Sequence, residues 1–200
     1  MRSALANPAR LTPCAGQNFR PSEKILWRRA RRIASEDAAI KSTIKQKEDT
    51  MRRKDRQIPD TEARSILEKG EYGILSTSST SNEPYGVPVS YCSIDGWIYF
   101  HCAIEGTKIN NIEANPKVSF CVVGKTEVLP DKFGTRYESC IVQGLATEAF
   151  GEEKRLALEG IVRKYSTDFV SEGLEYIEKL TDKSRVFKIS IESISGKARK

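Results

Sequence analysis

The chain has 200 residues, 38% apolar and 30% charged, with no apolar run near the ~20 residues that cross a bilayer; this suits one domain plus an extension and sets membrane spanning aside. Its net charge of +6 sits wholly in the first quarter, where residues 1–50 carry 11 Lys/Arg against 5 Asp/Glu, while residues 51–200 carry 22 of each. A neutral body lacks the broad basic surface that phosphate-backbone binding needs, so a nucleic acid could meet only the leader.

Residues 1–50 read as a basic leader, disordered or helical. Pro8, Pro13 and Pro21 interrupt its start, no acid precedes Glu23, and there is no apolar core of a secretory signal. Arg-rich and acid-poor, it also fits a transit peptide, or an upstream stretch outside the native protein, since Met51-Arg-Arg-Lys54 looks like a second beginning. Residues 22–48 suit a helix whose basic cluster is a solvated face, with RNA or a membrane surface as the sharper alternative. Five cysteines, Cys14, Cys92, Cys102, Cys121 and Cys140, show no CxxC pairing and fall mostly in apolar runs, which predicts buried thiols in a reducing cytoplasm and no metal site.

The body, residues 51–200, opens with Pro59-Asp60 as a helix cap and a short amphipathic helix over 61–69 that carries Ala63, Ile66 and Leu67 on one side and stops at Gly70. Strand-like segments follow at 72–79, 85–94, 97–103, 117–123, 137–150 and 185–193, rich in β-branched and aromatic residues. Helical patterns occupy 107–114, 152–165 and 171–180, without the regular alternation of a parallel α/β sheet. The prediction is a mainly β fold with attached helices, an antiparallel barrel.

Asp95-Gly96 between two apolar runs is a strong hairpin signal, because both central residues of a type I′ turn take positive φ. A two-residue loop sets opposed positions to sum to 191, which places Ser90 opposite His101, with Cys92 and Tyr99 on that face. Val89, Tyr91, Phe100 and Cys102 then turn toward the core. Four residues past His101, Glu105-Gly106-Thr107-Lys108 opens a helix, so free N–H groups, a hydroxyl and a lysine charge make a candidate phosphate cradle. A cap with a solvated lysine is the plainer reading of the same residues, and a satisfied structural histidine that of His101.

Gly73-Ile-Leu-Ser-Thr77, Pro84-Tyr-Gly-Val-Pro-Val-Ser-Tyr91, Ile98-Tyr-Phe-His-Cys-Ala-Ile-Glu-Gly-Thr-Lys108, Asn115-Pro-Lys-Val-Ser-Phe120 and Tyr137-Glu-Ser-Cys-Ile-Val-Gln-Gly144 resemble successive blocks of the nitroimidazole-reductase (Nim) family of pyridoxamine 5'-phosphate oxidase-like, FMN-binding split barrels. The resemblance runs from about Met51 to Ile194 and omits the leader. It implies a Greek-key split β-barrel, an FMN cofactor and a homodimer. The Val89-Ser90-Tyr91 strand would lie along the isoalloxazine, Thr107 and Lys108 would meet the phosphate, and His101 and Cys102 would line the same site. Ser139 would reach the flavin of the other subunit. Gln143 departs from the apolar or aromatic residue expected there, and Thr107 stands where related oxidases place an arginine.

The resemblance further implies a reductase of nitroaromatic compounds such as 5-nitroimidazoles, fed by reduced nicotinamide or another donor, with His101 as candidate proton donor. A flavin- or haem-binding module for storage or sensing is the alternative.

Overall fold

The computed structural model describes residues 51–180 and 183–200. The leader, its expected helix over 22–48 and Cys14 lie outside the described residues. Arg53–Lys200 forms one compact unit.

The first helix, α1 (Asp60–Lys69), buries Ala63, Ile66 and Leu67 as the spacing predicts, but Pro59 rather than Asp60 occupies the capping position and no side chain caps the turn. Gly70 ends it in extended backbone, not in a left-handed turn. Space dictates the glycine: a Cβ there would stand 2.3 Å from Val122 Cγ1 and 2.8 Å from the Tyr91 hydroxyl.

Among the described residues nine strands form instead of the six expected: β1 (Gln57–Ile58), β2 (Gly73–Ser78), β3 (Pro84–Val89), β4 (Tyr91–Ile94), β5 (Trp97–Cys102), β6 (Lys117–Leu129), β7 (Gly134–Ala149), β8 (Arg185–Ser190) and β9 (Ser193–Arg199). Three further helices, α2 (Thr107–Ala114), α3 (Gly151–Tyr165) and α4 (Val170–Leu180), fall within a residue of their predicted spans. All strand pairs are antiparallel, in the order β3-β2-β6-β7-β8-β5-β4, with β9 beside β7 and β1 beside β9. No helix among the described residues is long and apolar enough to cross a membrane.

Of the three extra strands, β1 is a two-residue pairing with β9, and the other two come from breaks in predicted strands. The predicted strand 85–94 divides at Ser90, because β3 pairs with β2 in one half-sheet and β4 with β5 in the other. The segment 185–193 likewise breaks before Ser193, where the Glu192 N–H donates to the Gln143 carbonyl at 3.0 Å, and the chain continues as β9. In β9 a glycine holds the buried position, Gly196, with Ile58 and Ala63 packed over it.

β7 joins the halves: residues Tyr137 to Gln143 pair with β9 and residues Ala146 to Ala149 with β8. Gly144 lies at the handover, where a Cβ would meet the Ser190 carbonyl oxygen at 1.6 Å. β6 and β7 also run past the barrel into a hairpin whose turn holds the fully exposed Phe133 at φ 46°. β3, at one end of the strand order, carries Pro84 and Pro88, as an edge strand allows.

Two apolar clusters result. The main core fills the barrel with Leu67, Leu75, Tyr91, Phe100, Phe120, Phe187 and their neighbours. A second lies between the outer face of β4, β5 and β8 and the helices α3 and α4, around Cys92, Tyr99, Ala157, Ile161 and Val186. The outer face of β2, β6 and β7 has no covering helix among the described residues, and directly paired Ile74, Cys121 and Ile141 form one of its rows.

Gly144→Ala is expected to lower stability by about 3 kcal/mol or more, since its methyl would meet backbone that cannot rotate away. Urea denaturation followed by circular dichroism checks this; a loss under 1 kcal/mol would contradict the packing described.

Candidate functional site

The β4–β5 hairpin turns through Asp95 at φ 50° and Gly96 at φ 81°, and its pairs Tyr91↔Phe100, Cys92↔Tyr99, Ser93↔Ile98 and Ile94↔Trp97 follow the expected register. Ser90 and His101 stand one step beyond the last paired residues, at the open end of the hairpin. Both are exposed. Alternation along β5 sends Ile98, Phe100 and Cys102 into the main core and Trp97, Tyr99 and His101 to the other face, so His101 and Cys102 lie on opposite sides of the strand.

The corner at Ser90 is held by α3. The backbone N–H of Tyr91 donates to the Tyr165 hydroxyl at 3.0 Å, and that hydroxyl faces the Glu71 and Tyr91 carbonyls at 2.5 and 3.1 Å. The Ser90 side chain also bonds it. Tyr91 itself is fully buried and donates to the Leu67 carbonyl at 2.5 Å, its ring edge-on to Phe120. Its side chain thus supports the corner from within the core, while Val89, half-buried, packs against the same core. Lys164 Nζ lies 3.6 Å from the centre of the Tyr91 ring, buried and without a hydrogen-bond partner; desolvation lowers its pKa.

α2 begins after Gly106, which sits at φ 140° with open space where a Cβ would project. No side chain caps its first turn. Thr107 is exposed, Lys108 half-buried, and Lys108 has no ion-pair partner among the described residues. Asn111 locks the helix to β2: its amide donates at 3.0 Å to the buried Thr77 hydroxyl, which in turn donates to the Tyr85 carbonyl on β3 at 3.4 Å. Asn115 adds a bond to Ser78 at 3.3 Å. This polar chain ties the C-terminal half of α2 to β2 and, through Thr77, to the edge strand β3.

The charges of Lys108 and Arg185 reach Cys102 and partly offset the rise that burial imposes on its thiol. Burial pushes the Cys92 thiol up to about 11. Flanking protein desolvates His101 although its surface stays open, which holds its pKa below 6.5; it is neutral at pH 7. Ser139 is elsewhere on this chain, paired with Val123 and Lys197 and nine residues along β7 from Glu148, roughly 30 Å of strand. A cleft of about 430 Å³ opens beside it, lined by Lys125, Arg136, Tyr137, Glu138 and Arg199 among others.

The structure places Val89 and Ser90 at the β3–β4 corner with Tyr91 beneath it, Thr107 and Lys108 at the start of α2 with the Lys108 charge reaching Cys102, His101 on the opposite face of β5 from Cys102, and Ser139 apart. Tyr165, Asn111 and Thr77 complete the seam between the half-sheets without having been singled out for it by sequence. Only a helix-terminal tyrosine hints at the first, and nothing local signals the Asn–Thr pair.

Residues 59–198 match the family described as pyridoxamine 5'-phosphate oxidase. The chain belongs to this family. As a pyridoxamine 5'-phosphate oxidase-like split barrel it is similar in structure to a candidate 5-nitroimidazole antibiotic resistance protein from Bacteroides thetaiotaomicron, at 22% identity over 70% of this chain and 85% of that one, TM-score 0.58. A FAD-binding protein from Mesorhizobium loti shares 26% identity over 72% and 98% of the two chains, TM-score 0.53. A FAD- and haem-binding protein from Mycobacterium smegmatis shares 12% over 72% and 74%, TM-score 0.64. None of the curated proteins matches the chain.

Tyr165→Phe is expected to destabilise the family fold by about 1–3 kcal/mol, because the Tyr91 N–H and the Ser90 hydroxyl lose their partner. Denaturation midpoints measure it; an unchanged midpoint would show that water replaces the phenol.

Proposed function

We propose that this family member is an FMN-dependent reductase of nitroaromatic compounds, 5-nitroimidazoles being the type, that works as a homodimer in the cytoplasm. The observation that carries the reading is the start of α2: an uncapped first turn bearing Thr107 and Lys108, the latter without an ion-pair partner among the described residues, on a helix that Asn111 ties to β2 and, through Thr77, to the edge strand β3. Free backbone N–H groups, a hydroxyl and an ammonium are the donor set that a phosphate monoester needs. The single lysine, without a neighbouring arginine, makes Lys108 the main charge on that phosphate.

FMN, when bound, supplies the electron transfer from reduced nicotinamide or another donor, and the protein orients and tunes it. In this reading the β3–β4 corner around Val89 and Ser90 flanks the ring, Tyr91 stiffens that corner from below, Cys102 packs behind, and His101 delivers a proton to the nitro group under reduction. Since His101 is held below 6.5, proton delivery falls as pH rises through that lower value. The uncovered face of β2, β6 and β7 supports the homodimer: Ile74, Cys121, Val123, Ser139, Ile141 and Gln143 form an uncharged strip, flanked by Lys117 and Lys197, fit for a second copy. That contact would carry Ser139 to the other subunit's flavin. Four free thiols among the described residues, three of them buried, accord with a reducing cytoplasm.

The isolated protein is expected to show a flavin spectrum and, with NAD(P)H or a chemical reductant, to consume a 5-nitroimidazole faster than equimolar free FMN. Lys108→Ala is expected to weaken FMN binding about tenfold to a hundredfold. His101→Gln is expected to keep the flavin and lose the acid-side rise in rate. Bound flavin without turnover would favour storage or sensing. A Soret band would instead favour haem, whose iron the exposed His101, the one histidine of the chain, could hold.

Ile141→Glu, placing a charge in the middle of the uncovered face, is expected to convert a dimer into a monomer in light scattering after size exclusion. A wild-type monomer at tens of micromolar would sink the homodimer.

A further inference from the structure

α2 is anchored to both halves of the barrel. Asn111 and Asn115, four residues apart and so on one side of the helix, tie it to β2. Glu113, about 200° around the helix from Asn111, ties it to the other half: its Oε1 meets Arg185 Nη1 on β8 at 2.9 Å. Arg185 is itself held rigidly. Its Nε and Nη2 donate to both carboxylate oxygens of Glu148 on β7, at 2.9 and 2.5 Å, and its guanidinium lies 5.1 Å from the centre of the Phe187 ring. It stands directly opposite Cys102 in the ladder.

The planar fork explains the arrangement. Two of its donors are committed to Glu148, which fixes the direction in which the third is offered to α2. Ile109 and Ile112 bury the inner side of α2 in the main core and Asn111 ties it to β2; the Glu113–Arg185 contact adds a directional tie on the β8 side that narrows the remaining roll of the helix. Glu113 is more than half exposed, so the contact adds little to stability. Its effect is on orientation.

Resting on the reading of the α2 start as a phosphate site, we propose that Arg185, through Glu113, is a positioning residue for that site: it fixes the roll of α2 and so aims Lys108 and the free N–H groups at the phosphate. Arg185 does not touch the ligand. The two side chains act as a brace from the β7–β8 half of the barrel to the helix that carries the phosphate contacts.

Titrating FMN and riboflavin, which lacks the phosphate, into the full-length apoprotein separates the possibilities by flavin fluorescence. Glu113→Gln and Arg185→Lys are expected to weaken FMN about tenfold while leaving riboflavin unchanged. Combined with Lys108→Ala, Glu113→Gln is expected to add less than its own tenfold, since only the N–H groups remain to be aimed, and melting temperatures of Glu113→Gln and wild type should coincide. Equal losses for FMN and riboflavin, or none in either variant while Lys108→Ala lowers FMN selectively, would overturn the brace and keep the phosphate site. An unchanged FMN-to-riboflavin ratio in Lys108→Ala would overturn the phosphate site and the brace with it. Glu113→Gln leaves the Glu148 pair and the core intact, so the test stands even if Arg185→Lys fails to fold.

Discussion

β3 and β4 are consecutive in the chain and separated by one residue, yet they end the strand order without pairing with each other. At that seam the two half-sheets are joined by side chains in place of a ladder. Tyr165 satisfies the backbone at the corner from α3, and Asn111, Thr77, Glu113 and Arg185 suspend α2 across the gap. An open barrel exposes polar backbone that must find partners, and each of these contacts supplies one or fixes the element that does. The candidate site depends on the seam: a closed barrel would have consumed the edge of β3.

The electrostatics of the seam follow from its depth. Groups under it are starved of water, which raises the Tyr91 phenol and the Cys92 and Cys102 thiols and lowers Lys164. Groups at its mouth remain available: His101 is open to solvent with its pKa lowered by desolvation, and Lys108 has no ion-pair partner among the described residues. Thus the interior is kept chemically quiet while the rim offers one titratable ring and one cation. Such a division suits a protein whose bound group carries out the electron chemistry and whose own residues orient it.

Much of this was legible in the sequence where a local rule dominates. Asp95-Gly96 fixed a register because only that turn type matches the strand twist, and the helix over 107–114 follows from Gly106 before it and Asn115-Pro116 after it. Failures came where distance in the chain matters. Ser90 looks like any strand residue, and only the positions of β2 and β5 force the break there. β9 escaped detection because Gly196 replaces the apolar residue that would have shown alternation, and Lys197 and Arg199 occupy the other positions. β6 outruns its predicted end at Val123 through Gly124-Lys125-Thr126-Glu127, an unpromising strand that pairing with β7 and a bulge make possible. The charges around Arg185 are 37 and 72 residues away from it in sequence, beyond any spacing rule.

The two prolines of β3 have a consequence for how the molecule avoids sticking to itself. An edge strand is a template for further strands, and residues of one parity in β3 point their backbone nitrogens away from β2. Proline is tolerated at such positions because no ladder bond is lost there, and Pro84 and Pro88 leave Gly86 as the sole outward donor between them. The exposed margin is therefore rich in acceptors and nearly bare of donors, a poor seed for fibril-like growth and one that stays open to small guests.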